Sequence, residues 1–315
     1  MNKLKIALKN AFTDKDDMPK SLRKGKYLFC YGLLSVTLIS FAVFYVWINF
    51  NSIVMAFQTN DGFGNIVYSF NNFRDIVANL KHPDSELTIG LINTFIYFGV
   101  GLFINLPLCF MFSYFLYKKV TGYKFYRVIF MLPSIISAIV YVTVYINVWD
   151  YGGPIYVLAE KIFGYEIPAL LQNSSTATPT IIIYTIWTSF GTNVILFQSA
   201  MNRLPEDVIE AGQLEGIGWA RELFQIVAPM IWHTIYTVVI LQVTGIFAGG
   251  GPILLFGTNG GYKTMTLSYF IFRAVYESAG AEFPAAVGVF FTLFSFPLVL
   301  GIRWLLGKVD PEVEY

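Results

Sequence analysis

The sequence predicts an all-α fold, a polytopic membrane helical bundle of about six transmembrane helices. Three observations predict it. Hydrophobic residues make up 56% of the 315 and charged residues only 13%, which is not the balance of a soluble domain. Uncharged runs of about 18 or more apolar residues, enough to cross a hydrocarbon core, recur along the chain. One stretch, Leu204 to Pro229, interrupts them as a polar, acid-rich island between two apolar runs.

Taken in order, residues 1–26 carry eight Lys and Arg against three Asp, a basic segment expected on the cytoplasmic side. The apolar run that follows is too long for a cleavable signal, and no small-residue cleavage site precedes its end. A transmembrane region is expected over residues 27–303, with an inner tail over 304–315. Tyr27 to Phe50 is uncharged and reads as the first span, and the mixed polar residues 51–87 as an outer loop. Thr88 to Tyr117 is the second span, with Pro107 placed to bend it. Lys118, Lys119, Lys124 and Arg127 form an inner turn with no acid. Val128 to Trp149 returns outward with Pro133 as a bend, and residues 150–178 form an outer loop with a short amphipathic segment at Ile155 to Phe163. Pro179 to Met201, Met230 to Phe247 and Pro284 to Ile302 complete six crossings, and Arg303 and Lys308 mark the inner end of the last. Counted this way the inner segments hold sixteen Lys and Arg and the outer ones five, so both termini are expected in the cytoplasm.

The island reads as two short helices joined by a bend. Pro205 suits a helix start, Glu206 and Asp207 complement the positive helix N-terminus, and Gly216 with Gly218 breaks the pattern before a second helix ending near Pro229. Helical spacing puts Glu206, Glu210 and Gln213 on one face, and Leu204, Val208 and Ala211 on another. Trp219, Leu223, Ile226 and Met230 are expected as an apolar stripe on the second helix. Counting crossings places this hairpin in the cytoplasm, where its acidic face can meet a soluble partner.

Glu210-Ala211-Gly212, then Gly216, Ile226 and Pro229, resembles the EAA loop of bacterial ABC importer permeases: Glu-Ala-Ala, three residues, Gly, nine residues, Ile-x-Leu-Pro. Four anchors fall in register, Glu210, Gly216, Ile226 and Pro229. The sequence departs from the pattern at Gly212 and Ala228, and carries Glu215 where Asp is common. The resemblance implies that this is a coupling-helix hairpin that docks in a groove on a separate ATPase, with Glu206, Glu210, Ala211, Gly212, Gln213, Gly216, Ile226 and Pro229 as coupling residues. It also implies two ATP-binding cassette ATPase subunits, a second homologous permease, an extracytoplasmic solute-binding protein and a bacterial plasma membrane location. NNFRDIV (Asn71 to Val77), INTFIYF (Ile92 to Phe98), FMLPSIISAIV (Phe130 to Val140) and Gly249 to Pro252 are similar to the carbohydrate-uptake branch, in particular its maltose-type first permease. The large outer insertion of some such members is absent, and the chain closes on DPEVEY.

Several chemistries are excluded. A net charge of +1 leaves no basic footprint for nucleic acid. Cys30 and Cys109 fall inside expected spans, and neither they nor His82 and His233 have metal-ligand spacing. Lys263-Thr264 follows a Gly-rich stretch but is preceded by Tyr262 where a phosphate loop requires Gly. No catalytic constellation is visible and no cofactor is expected on this chain, so ATP and Mg belong to the partner ATPase. A secondary transporter would show inverted repeats and mid-membrane ionisable groups, and neither is found. For a mono- or oligosaccharide, aromatic faces and uncharged hydrogen-bonding groups are needed. Tyr184, Trp187, Thr188 and Asn193 in the fourth span, Gln242 and Thr244 in the fifth and Asn147 in the third are the candidates for that path. The same groups could instead tie helices together. A polyamine, peptide or phosphate importer is the alternative within the class.

Overall fold

The computed structural model describes residues 20–60, 65–164, 169–247, 252–258, 260, 261, 263–277 and 280–309. The basic segment before residue 20, Gly249 to Gly251, Tyr262 and the DPEVEY tail lie outside the described residues. The chain divides into two units, Met1–Val54 and Met55–Tyr315. In the first, α1 (Lys20–Ser40) passes through a π-turn at Phe41–Trp47 into α2 (Ile48–Ala56). Within the 28 residues Phe29–Ala56 an 18-residue stretch has a mean hydropathy of 2.0, and at about 1.5 Å per residue the helix is long enough to cross a bilayer.

The second unit opens on the segment expected as an outer loop. Strand β1 (Gln58–Asn60) pairs antiparallel with β2 (Ile66–Tyr68), and α3 (Asn71–Leu80) follows. The buried Asn72 amide fixes the corner by donating to the Ala56 and Gln58 carbonyls at 3.0 and 2.8 Å.

Helix α4 (Glu86–Val100) starts on Ser85, whose hydroxyl accepts from the Thr88 N–H, and runs through a π-turn at Gly101–Asn105 into α5 (Leu106–Tyr117). The irregularity precedes Pro107 because proline cannot donate to the carbonyl one turn back, which loosens the ladder there. Helix α6 (Tyr123–Ile135) carries Pro133 inside it, and the expected bend falls instead at Ile136 and Ser137, where the backbone becomes extended before α7 (Ala138–Trp149). Tyr123–Ile135 and the helical stretch Ala138–Ile162 meet at 108°, so the third crossing is broken rather than bent at the proline. The amphipathic segment is α8 (Pro154–Phe163).

Helix α9 (Ala177–Met201) is central: it packs on α5 and α6 along its length and also meets α4. Close approach explains Gly191, where a Cβ would lie 3.1 Å from the Phe130 carbonyl oxygen and from Ser134 Oγ. A polar seam ties α9 to the span Glu86–Tyr117, with Asn105 donating to Ser189 Oγ (2.8 Å) and Ser113 to the Cys109 and Val194 carbonyls (2.6 and 3.3 Å). In an apolar surround such bonds fix helix register.

Next come α10 (Glu206–Leu214), α11 (Trp219–Arg221), a π-turn at Glu222–Val227, α12 (Ala228–Met230) and α13 (Trp232–Thr244). The second hairpin helix and α13 meet at an angle, Trp219–Met230 against Trp232–Thr244 at 79°. After the short α14 (Ile253–Phe256), the aromatic segment forms α15 (Leu267–Glu277), packed on α4 and on α16 (Glu282–Lys308). Asn93 pins the loop before α15 by donating to the Lys263 and Met265 carbonyls, both at 2.7 Å, and Arg273 pairs with Glu86 and Glu277. Among the described residues four helices are individually long and apolar enough to cross a membrane, and the number is six if each bent pair is one span.

Candidate functional site: a cleft beside the acidic hairpin

The hairpin is built around one turn. Gly216 has φ +74°, the left-handed region that L side chains rarely adopt, and it closes a Schellman motif: Ile217 N–H donates to the Gly212 carbonyl (3.1 Å) and Gly216 N–H to that of Gln213 (3.0 Å). Gly212 is buried where the two helices fold together, and a Cβ there would lie 2.9 Å from Ile226 Cδ1. Its departure from Ala thus goes with a tight seat for the half-buried Ile226. Pro229 lies in the short helix that ends the hairpin.

The buried faces differ from those expected. Leu204 is buried, but Val208 is 39% exposed and Ala211 is exposed, while Ile209 and Gly212 face inward. Leu204 precedes the helix start at Glu206, so it does not share the helical phase of Val208 and Ala211. On the second helix Leu223 is buried and Ile226 and Met230 half-buried as expected, but Trp219 is 55% exposed. The π-turn shifts the phase, and Glu222 and Val227 turn inward instead.

Glu206, Glu210 and Gln213 do share a face. They line a cleft of about 710 Å³ with Ile209, Trp219 and Glu222, and its other wall is Tyr114, Tyr117, Lys118 and Lys119 at the end of α5. The basic turn after the second span therefore lies beside the hairpin, at one end of the bundle. Lys118 Nζ is 2.5 Å from Glu222 Oε1, and the Glu222 side chain is only 4% exposed. The contact is an ion pair rather than a well-directed hydrogen bond. With Lys118 committed to Glu222, the cleft presents Glu206 and Glu210 against Lys119, an acidic rim. Beside this rim Leu214 projects with 90% of its surface exposed, an apolar side chain at the tip of a polar helix.

At a different place, Tyr184 and Trp187 join an aromatic group with four residues missed in the sequence, Tyr141, Tyr145, Trp149 and Phe256. Tyr141 and Trp187 have ring centroids 4.8 Å apart, Tyr145 and Tyr184 5.1 Å, and Tyr184 and Phe256 5.2 Å. Trp187, Tyr141, Tyr145 and Trp149 line an apolar groove of about 400 Å³. The spacing of Tyr141 and Tyr145, one helical turn apart in an uncharged run, was the available signal.

The other five path candidates are held in other contacts. Thr188, Thr244 and Asn147 donate to their own helix carbonyls, at 3.1, 3.0 and 2.7 Å. Asn193 faces the Cys109 thiol, and Gln242 lies across Gly101 at the π-turn, where a Cβ would be 3.0 Å from its Oε1. These contacts run between helices or within them. His82 and His233 are exposed, and the described residues hold no group of three metal-ligating side chains.

Broken apolar spans and a glycine-bent hairpin, with an acidic cleft where the hairpin meets the bundle, define a multi-pass membrane protein of the transport-permease class. The chain belongs to the binding-protein-dependent transport system inner membrane component family, which matches residues 111–315. It is 26% identical over 294 residues to the sn-glycerol-3-phosphate transport system permease protein UgpA of Yersinia pestis bv. Antiqua, covering 92% of this chain and 95% of that one. The UgpA protein of Escherichia coli O6:K15:H31 is 26% identical over 286 residues, 89% and 94% of the two chains. The fold is shared with a bacterial ABC transporter involved in the import of the acidic polysaccharide alginate, at a TM-score of 0.79 and 19% identity over 92% of this chain and 99% of that one. A further structure of a bacterial alginate ABC transporter, in complex with an alginate pentasaccharide-bound periplasmic protein, matches equally at 0.79, with 19% identity over 91% of this chain and 96% of that one.

Proposed function

We propose that this chain is a permease subunit of an ATP-driven importer for a carbohydrate, paired with a second homologous permease and seated on two ATPase subunits. A solute-binding protein outside the membrane delivers the sugar. The chain lies in the bacterial plasma membrane with both termini and the hairpin in the cytoplasm. ATP and Mg are bound by the ATPases, and this chain binds neither. The observation that carries the reading is the acidic cleft: Glu206 and Glu210 on its rim, with the exposed Leu214 at the hairpin tip, suit a groove offering a basic group and an apolar pocket. Closure of the ATPases would displace the hairpin, and with it the spans that enter and leave it, opening the path to alternate sides.

The solute is read as uncharged. Between their ends the spans Glu86–Tyr117, Ala177–Met201 and Glu282–Lys308 carry no Asp, Glu or Lys, and Arg only at position 303 near the last end. Both glycerol 3-phosphate and alginate are acidic, so a neutral sugar would set this chain apart from those relatives. Tyr184 and Trp187, with Tyr141 and Tyr145, supply ring faces for the CH surface of a pyranose.

The test is co-purification with the cognate ATPase, comparing wild type with Glu210→Ala and Gly216→Pro. Reduced recovery or loss of solute-stimulated ATP hydrolysis is expected in both variants, and unchanged values in both contradict the reading.

A further inference from the structure

Chain connectivity links the hairpin to α9 before it and α13 after it, and to no other span. The span Glu86–Tyr117 has no covalent connection to it, yet three side-chain contacts join its end to the second hairpin helix. They are the Lys118–Glu222 ion pair at 2.5 Å, Phe115 against Trp219 with ring centroids 5.6 Å apart, and Phe110 against Phe224 at 6.5 Å. The ion pair differs from the other two in being hard to dissociate. Its carboxylate is 4% exposed, and a buried charge that loses its counter-ion is left desolvated without compensation. Lys118 is the C-cap residue of α5, an end where a cation is favoured, and its ammonium lies 5.9 Å from the Tyr114 ring centroid.

The location of the pair gives it a mechanical consequence. Glu222 is the first residue of the π-turn Glu222–Val227, the irregular part of the second hairpin helix. An irregular turn of this kind can absorb a displacement applied to the hairpin tip before it reaches a neighbouring helix. A clamp on the tip side of the turn bypasses it.

We propose that Lys118 and Glu222 are positioning residues, clamping the second hairpin helix to the end of α5 so that hairpin movement is delivered to the span Glu86–Tyr117 as well as to the spans flanking the hairpin. The proposal rests on the coupling function proposed above.

It is tested in the assembled transporter, reconstituted with its ATPases and second permease, with spin labels at positions 103 and 294 on two different spans. The inter-label distance is measured without nucleotide and after trapping with ATP and orthovanadate. Wild type is expected to show a nucleotide-dependent shift. Lys118→Met and Glu222→Gln are expected to lose that shift, and the reversed pair Lys118→Glu with Glu222→Lys to regain it. A shift of wild-type size in both single variants overturns the clamp, as does a reversed pair that shows none. Where the single variants do not accumulate, the reversed pair decides alone: recovery of both accumulation and shift supports the clamp, and failure of either overturns it. Failure of the coupling reading itself shows separately, as the lack of any nucleotide-dependent shift in wild type together with unaltered ATPase recovery in Glu210→Ala.

Discussion

Gly216 and Gly212 look alike in sequence and differ in physics. At Gly216 no atom lies within 4 Å of where a Cβ would be, so the whole penalty of Gly216→Ala is the positive φ, about 1–2 kcal/mol. At Gly212 the backbone is ordinary helix and the obstacle is the mobile end of Ile226, so Gly212→Ala is expected to cost less, under about 1 kcal/mol, with Ile226→Val relieving it. Thermal unfolding in detergent orders the two, and a larger loss at Gly212 than at Gly216 would contradict this account. Glu210 stands apart because it is exposed, so Glu210→Ala is expected to leave the unfolding temperature of the isolated chain unchanged while weakening ATPase association at least about tenfold. The Gly216 turn and the shared face of Glu206, Glu210 and Gln213 were legible from residue type and helical spacing. Glu222 was not, because its partner Lys118 belongs to another span, and because the π-turn that aims it inward leaves no mark in a 3.6-residue pattern.

Among the elements, the spans were readable from composition, since a long uncharged run has few other stable places to be. Their breaks were not. Pro133 and Pro107 pointed to bends, yet α6 continues through Pro133 and breaks at Ile136–Ser137, and the disturbance near Pro107 is taken up by the π-turn before it. Proline removes a donor from the ladder but does not by itself set where the chain yields. The loop before α15 is held by side chains distant in sequence, and Asn93→Ala would strip both the Lys263 and Met265 carbonyls of a donor. A loss of about 1–3 kcal/mol and faster proteolysis around residue 263 are expected, and an unchanged cleavage rate would show that the pin does not matter. The aromatic group makes a further prediction. Trp187→Ala and Tyr141→Ala are expected to lower transport of a neutral sugar while leaving ATPase recovery unchanged, measured in proteoliposomes with the purified binding protein. Equal transport by both variants would remove these rings from the path.

For the whole molecule, the division of labour follows from what the described spans contain. They offer aromatic faces, hydroxyls and amides in a bundle with few charges between the span ends. In the function proposed above, work enters through the hairpin, whose tip carries an exposed Leu214 beside an acidic cleft. The most direct measurement places a photo-crosslinking residue at position 214 in the membrane-embedded transporter, with a control at position 151 in the turn after Trp149. An adduct between position 214 and the ATPase subunit, and none from position 151, is the predicted result. Failure of position 214 to reach the ATPase, or its labelling from outside intact cells by a membrane-impermeant reagent, would contradict the account.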